Sequence, residues 1–140
     1  MAIPNSIVPP TYLPYLANTA AVISILPTIT GLAALVRPQL GHTVFSFPKP
    51  TTPRDQNLVL GLFRIFGVRD LAIGLTTLAI WHYGEGAAGY KTLGVAMLTG
   101  GLLVATDGWV SKEVIGKGEW THWSFLPFNV GIGVALLGWV

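Results

Sequence analysis

Four apolar runs alternate with short polar or proline-rich segments along the chain, and little sequence lies outside them. A helix needs about 20 apolar residues to cross a ~30 Å hydrocarbon core, and each run approaches that length. The first covers about 13–36 and is polar only at Asn18, Thr19, Ser24, Thr28 and Thr30. Pro27 lies inside it, where the missing N–H removes a helix hydrogen bond and predicts a kink. After Arg37-Pro38 comes a Pro- and Thr-rich loop, 42–55, and Asp55 or Asn57 is placed to cap the second run, 58–80. Trp81-His82-Tyr83 then reads as an interfacial aromatic belt. A glycine-rich turn, 84–89, leads to the third run, 90–110. A polar loop, 111–121, precedes the fourth run, 122–140, which is short for a crossing. The pattern predicts an all-α fold, a four-helix transmembrane bundle in which residues 1–140 form a single domain.

Composition strengthens the membrane reading. The 140 residues are 51% hydrophobic and 10% charged, with a mean hydropathy of +0.61. Soluble domains carry about 25% charged residues, so the polar coat of a globular protein is missing. The formal net charge is +2 and the basic residues are scattered, which is no nucleic-acid footprint. The absence of cysteine excludes thiolate catalysis, disulfide exchange and cysteine metal sites. Residues 1–15 contain four prolines and no lysine or arginine, unlike the basic start of a cleavable leader, so the first run is expected to be retained. Arg37, Lys49, Arg54, Lys112 and Lys117 fall on the two loops that share one side, against Lys91 on the other. The positive-inside rule puts those loops in the cytoplasm.

The second run holds Arg64, Arg69 and Asp70. Each ionisable group costs roughly 2.5–3.5 kcal/mol at the centre of a membrane helix, so these must face a polar interior. Counting 1.5 Å per residue puts Thr28, Thr30, Arg64, Asp107 and Asn129 in one layer roughly 6–10 Å below the loop-bearing face. Arg69 and Asp70 fall one to two turns deeper by the same count. At 100° per residue, Asn57, Gly61, Arg64, Gly67, Asp70 and Gly74 share an arc, and its glycines admit a neighbouring helix or a ligand. Arg69 lies about 100° from Asp70. It is expected to meet a group on another helix, while Asp70 faces Arg64 or Asp107.

Two carboxylates with an arginine between them and an asparagine nearby suit acid–base work. Asp107, nearer the wet face, is assigned as base and Asp70 as the protonated acid; the sequence allows the reverse assignment as well. Arg64 and Arg69 orient the carboxyl groups, and Asn129 positions the attacking oxygen. Gly67, Trp109, His122 and Trp123 are the substrate-contact candidates. No cofactor is required, and no metal site is expected, because His42, His82 and His122 fall on different predicted sides. The plainer alternative is a structural ion-pair network in a scaffold or transporter subunit. Another is an isomerase or non-redox cyclase using the same pair. Ala96 and Gly100, at small-xxx-small spacing, also permit a homodimer.

The stretch from Arg64 to Gly74, with Thr106-Asp107-Gly108 one helix later, resembles a family of small four-helix integral membrane proteins of fungi and bacteria, largely of unknown function. It is similar to membrane-bound epoxide hydrolases and cyclases of fungal polyketide (polyene-pyrone polyether) pathways. Arg64, Gly67, Arg69, Asp70 and Asp107 carry the resemblance. It implies opening of an epoxide in a lipophilic polyketide-type intermediate, by hydrolysis or cyclisation. It also implies an internal membrane such as the endoplasmic reticulum. The Asp/Arg/Asp set resembles that of soluble limonene-type epoxide hydrolases in chemistry, not in fold.

Overall fold

The computed structural model describes residues 7–44 and 47–140, and these are helical with no strand among them. Pro14 opens α1 (Leu13–Val36) from its first turn, where the missing N–H has no intrahelical acceptor to lose. The helix then runs unbroken through Pro27. A short α2 (Gly41–Val44) follows, held where the Phe63 ring packs on Gly41 and His42 meets that ring edge-on at 5.1 Å.

Helix α3 (Pro53–Tyr83) begins five residues before the apolar run. Its cap is Thr52, not Asp55 or Asn57: Thr52 Oγ1 accepts from the Asp55 N–H at 3.2 Å and donates to Asp55 Oδ2 at 2.7 Å. The capping sequence, rather than the onset of hydrophobicity, sets the first turn. Helix α4 (Gly86–Val110) widens into a π turn, Ser111–Ile115, stopped by Gly116 at φ 77°. The fourth run is two helices, α5 (Glu119–Trp123) and α6 (Leu126–Leu137), rather than one. Pro127 has no N–H with which to continue the ladder of α5, so the chain turns at Ser124 and restarts with the proline in the first turn of α6.

Helix α1 packs chiefly on α3, and α4 on α6. Both contacts run through small residues. A Cβ on Gly31 would meet the Leu71 backbone nitrogen and lie 2.6 Å from the Gly67 carbonyl oxygen. One on Gly94 would lie 2.8 Å from the Gly133 oxygen. At one end the two pairs join over Ala17, Ala20, Leu93, Met97, Ile132 and Leu136. The Trp81 indole N–H donates to Asn18 Oδ1 at 3.0 Å at that end. Toward the other end the pairs enclose a cavity.

Two helical stretches, Pro10–Val36 and Gly86–Ile115, are long and apolar enough to cross a membrane. Only 22% and 28% of their most apolar windows are buried, whereas the core helix of a water-soluble protein hides its apolar side chains. Val22, Ile25, Ile29, Val95 and Leu102 all face outward. Helix α3 is outside this class because Arg54, Asp55, Arg64, Arg69 and Asp70 interrupt it.

Candidate active site

Register between α1 and α3 sets the depth of every charge on α3. Gly31 lies against Gly67 and Leu71, and Thr28 against Gly74, so the antiparallel pair brings Arg37 level with Arg64. Arg64 therefore stands at the end of α1, where it is exposed and does not line the cavity. Depth counted from Leu58, where the apolar run starts, puts it inside instead. Arg69 and Asp70 lie about 8–9 Å farther in.

Arg69 binds both carboxylates. Its Nε and Nη2 donate to Asp70 Oδ1 at 3.0 and 2.8 Å, while Nη1 and Nη2 donate to Asp107 Oδ1 and Oδ2 at 2.9 and 2.7 Å. The expected partner on another helix is thus Asp107 of α4. The expectation that Arg69 and Asp70 stay apart fails. Their Cβ atoms do diverge by about 100°, but the long arginine side chain swings its planar head back across the helix. Phe66, three residues earlier on the same face, supports that head, with Cζ 5.2 Å from the ring centroid. The i, i+3 spacing of Phe66 and Arg69 is the sequence signal for this support.

The two carboxyl groups are not equivalent. Asp107 engages Arg69 through both oxygens. Asp70 uses Oδ1 alone, and its Oδ2 makes no hydrogen bond among the described residues. With both ionised, the triad carries one net negative charge. Arg69–Asp107 is the one ion pair linking α3 to α4 among the described residues.

His122 of α5 completes this layer. It is buried and within electrostatic reach of Asp107, Arg69 and Asp70. Trp123 braces α5: its indole packs on Gly108 and donates to the Ala105 oxygen at 3.1 Å, with Lys112 Nζ 5.5 Å from the ring centroid. Trp123 therefore buttresses the site without lining the cavity. Trp109, two residues past Asp107 and so turned about 200° away, is 61% exposed and also outside the cavity. Gly67 does line it, although its closest neighbours are Gly31 and Ala34 of α1.

Asn129 also lines the cavity, but not in the carboxylate layer. Its carboxamide oxygen lies over Gly100, seven residues and about 10 Å along α4 from Asp107. The break at Ser124 lets α5 fold back level with the end of α4, so His122 occupies the depth expected of Asn129. The Asn129 amide donates to the Phe125 carbonyl at 2.9 Å.

The cavity holds about 320 Å³ between the helix pairs, at the small end of the ordinary range for ligand sites. Asp70, Asp107 and His122 form its polar end, while Ile73, Met97 and Leu103 are among its apolar walls. The hydroxyls of Ser24, Thr30 and Thr77 each donate to a carbonyl one turn back, so the walls offer few further donors. Leu26, Leu40, Val44 and Phe125 line the cavity and are themselves exposed, which marks its mouth on the side between α1 and α5–α6. Among the described residues, no three His, Asp or Glu side chains are grouped to hold a metal ion.

Residues 24–136 match a family described as a domain of unknown function (DUF4267). No curated protein and no solved structure matches the chain.

Proposed function

We propose that this chain, which belongs to the DUF4267 family, is a multi-pass membrane enzyme that opens epoxides of lipophilic, polyketide-type substrates by acid–base chemistry. The observation that carries this reading is one guanidinium holding two carboxylates at the polar end of a largely apolar cavity. The long apolar helices α1 and α4 support a membrane setting. In this reading α3 and the α5–α6 unit cross beside them as a four-helix bundle in an internal membrane, such as the endoplasmic reticulum. The basic residues at the Arg37 and Lys112 end face the cytoplasm. Substrate reaches the cavity from the lipid, between α1 and α6.

Charge assigns the roles. One net charge is costly in a partly dehydrated site, and one proton neutralises the triad. Asp107, held in a two-oxygen fork by Arg69, is the carboxylate favoured in ionised form. Asp70 carries the proton on Oδ2, the oxygen that Arg69 leaves unbonded. Asp70 gives this proton to the epoxide oxygen as the C–O bond breaks. Water, or a hydroxyl of the substrate, attacks the carbon from the opposite side, and Asp107 takes the proton that it releases. The product is a diol, or a cyclic ether with one new hydroxyl. Proton exchange through water from Asp107 to Asp70 resets the pair. No step calls for a cofactor.

The test is incubation of the protein, in detergent or nanodiscs, with a panel of long-chain epoxides in ¹⁸O-labelled water. Hydrolysis gives a diol with one ¹⁸O, and cyclisation gives an unlabelled isomer of the epoxide. Conversion of every epoxide at no more than the rate in protein-free nanodiscs sinks the reading.

One observation favours a second reading. Because Arg69–Asp107 is the ion pair between α3 and α4, the triad also serves as a tie between the two helix pairs. If that were its whole role, Asp70 and Asp107 variants would lose folded yield and turnover would not depend on them.

A further inference from the structure

A second polar group faces the cavity well away from the carboxylates. Asn129 is 7% exposed and lines the cavity. Its Nδ2 is committed to the Phe125 carbonyl at 2.9 Å. That bond fixes the orientation of the carboxamide, because a flip would set oxygen against oxygen. Oδ1 is left as an acceptor and has no hydrogen-bond donor among the described residues. Oδ1 is not sealed off from the cavity, and a ligand that brings a donor can pair with it there.

Gly100 makes room for this oxygen. A Cβ there would lie 2.8 Å from Asn129 Oδ1 and 3.8 Å from its Cγ, and would meet nothing else within 4 Å. The glycine thus lets the carboxamide oxygen lie close against α4 where both residues line the cavity, and serves no other close packing contact. Between this acceptor and Asp107 lies about 10 Å of helix α4, along which Leu103 and Val104 present an apolar wall.

We infer that Asn129 is a specificity-determining residue, and that the substrate is an elongated molecule with a hydroxyl about 10 Å from its reacting group. The hydroxyl donates to Asn129 Oδ1, and the apolar stretch between lies along α4. A site that hydrogen-bonds a substrate hydroxyl discriminates strongly against the analogue without it. The inference rests on the acid–base reading only for which end of the molecule reacts.

The test measures binding rather than turnover, so it stands or falls apart from the reaction. Two unreactive probes are compared: a saturated chain ending in tetrahydrofuran, with a hydroxyl about 10 Å away, and the same chain without the hydroxyl. The hydroxylated probe is expected to bind the wild-type protein in nanodiscs at least about tenfold more tightly. In Asn129→Leu the preference should fall below about twofold. Gly100→Ala, whose methyl meets only the carboxamide, should do the same and keeps the test decisive if the leucine variant does not fold. Equal binding of the two probes by the wild type, or no binding of either, overturns the inference. So does a preference that survives in a folded variant.

Discussion

Replacing Arg69 with Met removes the group that both carboxylates share, and the structure sets the size of the effect. Arg69 makes four hydrogen bonds to carboxylate oxygens. At about 1.5–3 kcal/mol for each charged bond, the simple sum would reach about 6–12 kcal/mol. That sum overshoots, because the Asp70 and Asp107 side chains keep 23% and 16% exposure and can recruit water or a proton. The measured range for breaking a buried pair, about 3–5 kcal/mol, is the better expectation. Asp107→Asn keeps one acceptor oxygen for Arg69, sets an amide donor against its other N–H and leaves the guanidinium balanced by Asp70, so it should cost only about 1–3 kcal/mol. Reversible unfolding in mixed detergent micelles, followed by tryptophan fluorescence, measures both. The charge argument is refuted if Arg69→Met lies within about 1 kcal/mol of wild type, or if Asp107→Asn is the more damaging change.

Two further outcomes follow from the packing and the register. Gly31→Ala forces a methyl into the α3 backbone at Leu71 and Gly67, where the neighbours cannot rotate away. It should destabilise the fold by about 1–3 kcal/mol or more in the same unfolding assay, and a neutral result would show that α1 and α3 pack less closely. Arg64→Gln alters an exposed residue outside the cavity. Its stability should stay within about 0.5 kcal/mol of wild type and its epoxide turnover unchanged, so a large loss of turnover would return Arg64 to the site.

Much of the helical framework was legible because hydrophobic runs and helix bounds share a cause at some ends and not at others. Leu13 and Val36 bound both the first apolar run and α1, since proline punctuation and hydrophobicity coincide there. They part company at α3, where Thr52 and Asp55 begin the helix ahead of its apolar stretch. They part again at Ser124, where Pro127 divides a continuously apolar segment. Those two shifts moved the depths. Arg64 rose to the end of α1, and His122 replaced Asn129 in the carboxylate layer. That Arg69 meets a group on another helix followed from the expense of an unpaired charge among apolar helices, whereas Asp107 was expected, with Arg64, to face Asp70 instead. The pairing of Arg69 with Asp70 did not follow, because a wheel of Cβ directions ignores the reach of an arginine head. No periodicity in the sequence marks the Asn129 acceptor over Gly100, which depends on how α4 and α6 meet.

The central claim is that Asp70 and Asp107 perform proton transfer rather than only hold the helices together. Its most direct test is kcat/KM for an epoxide turned over by the wild type, measured on folded, monodisperse Asp70→Asn and Asp107→Asn. Each variant is expected to keep its helical content and lose about 10²–10⁴ in rate. A folded variant of either aspartate that retains the wild-type rate would contradict the account.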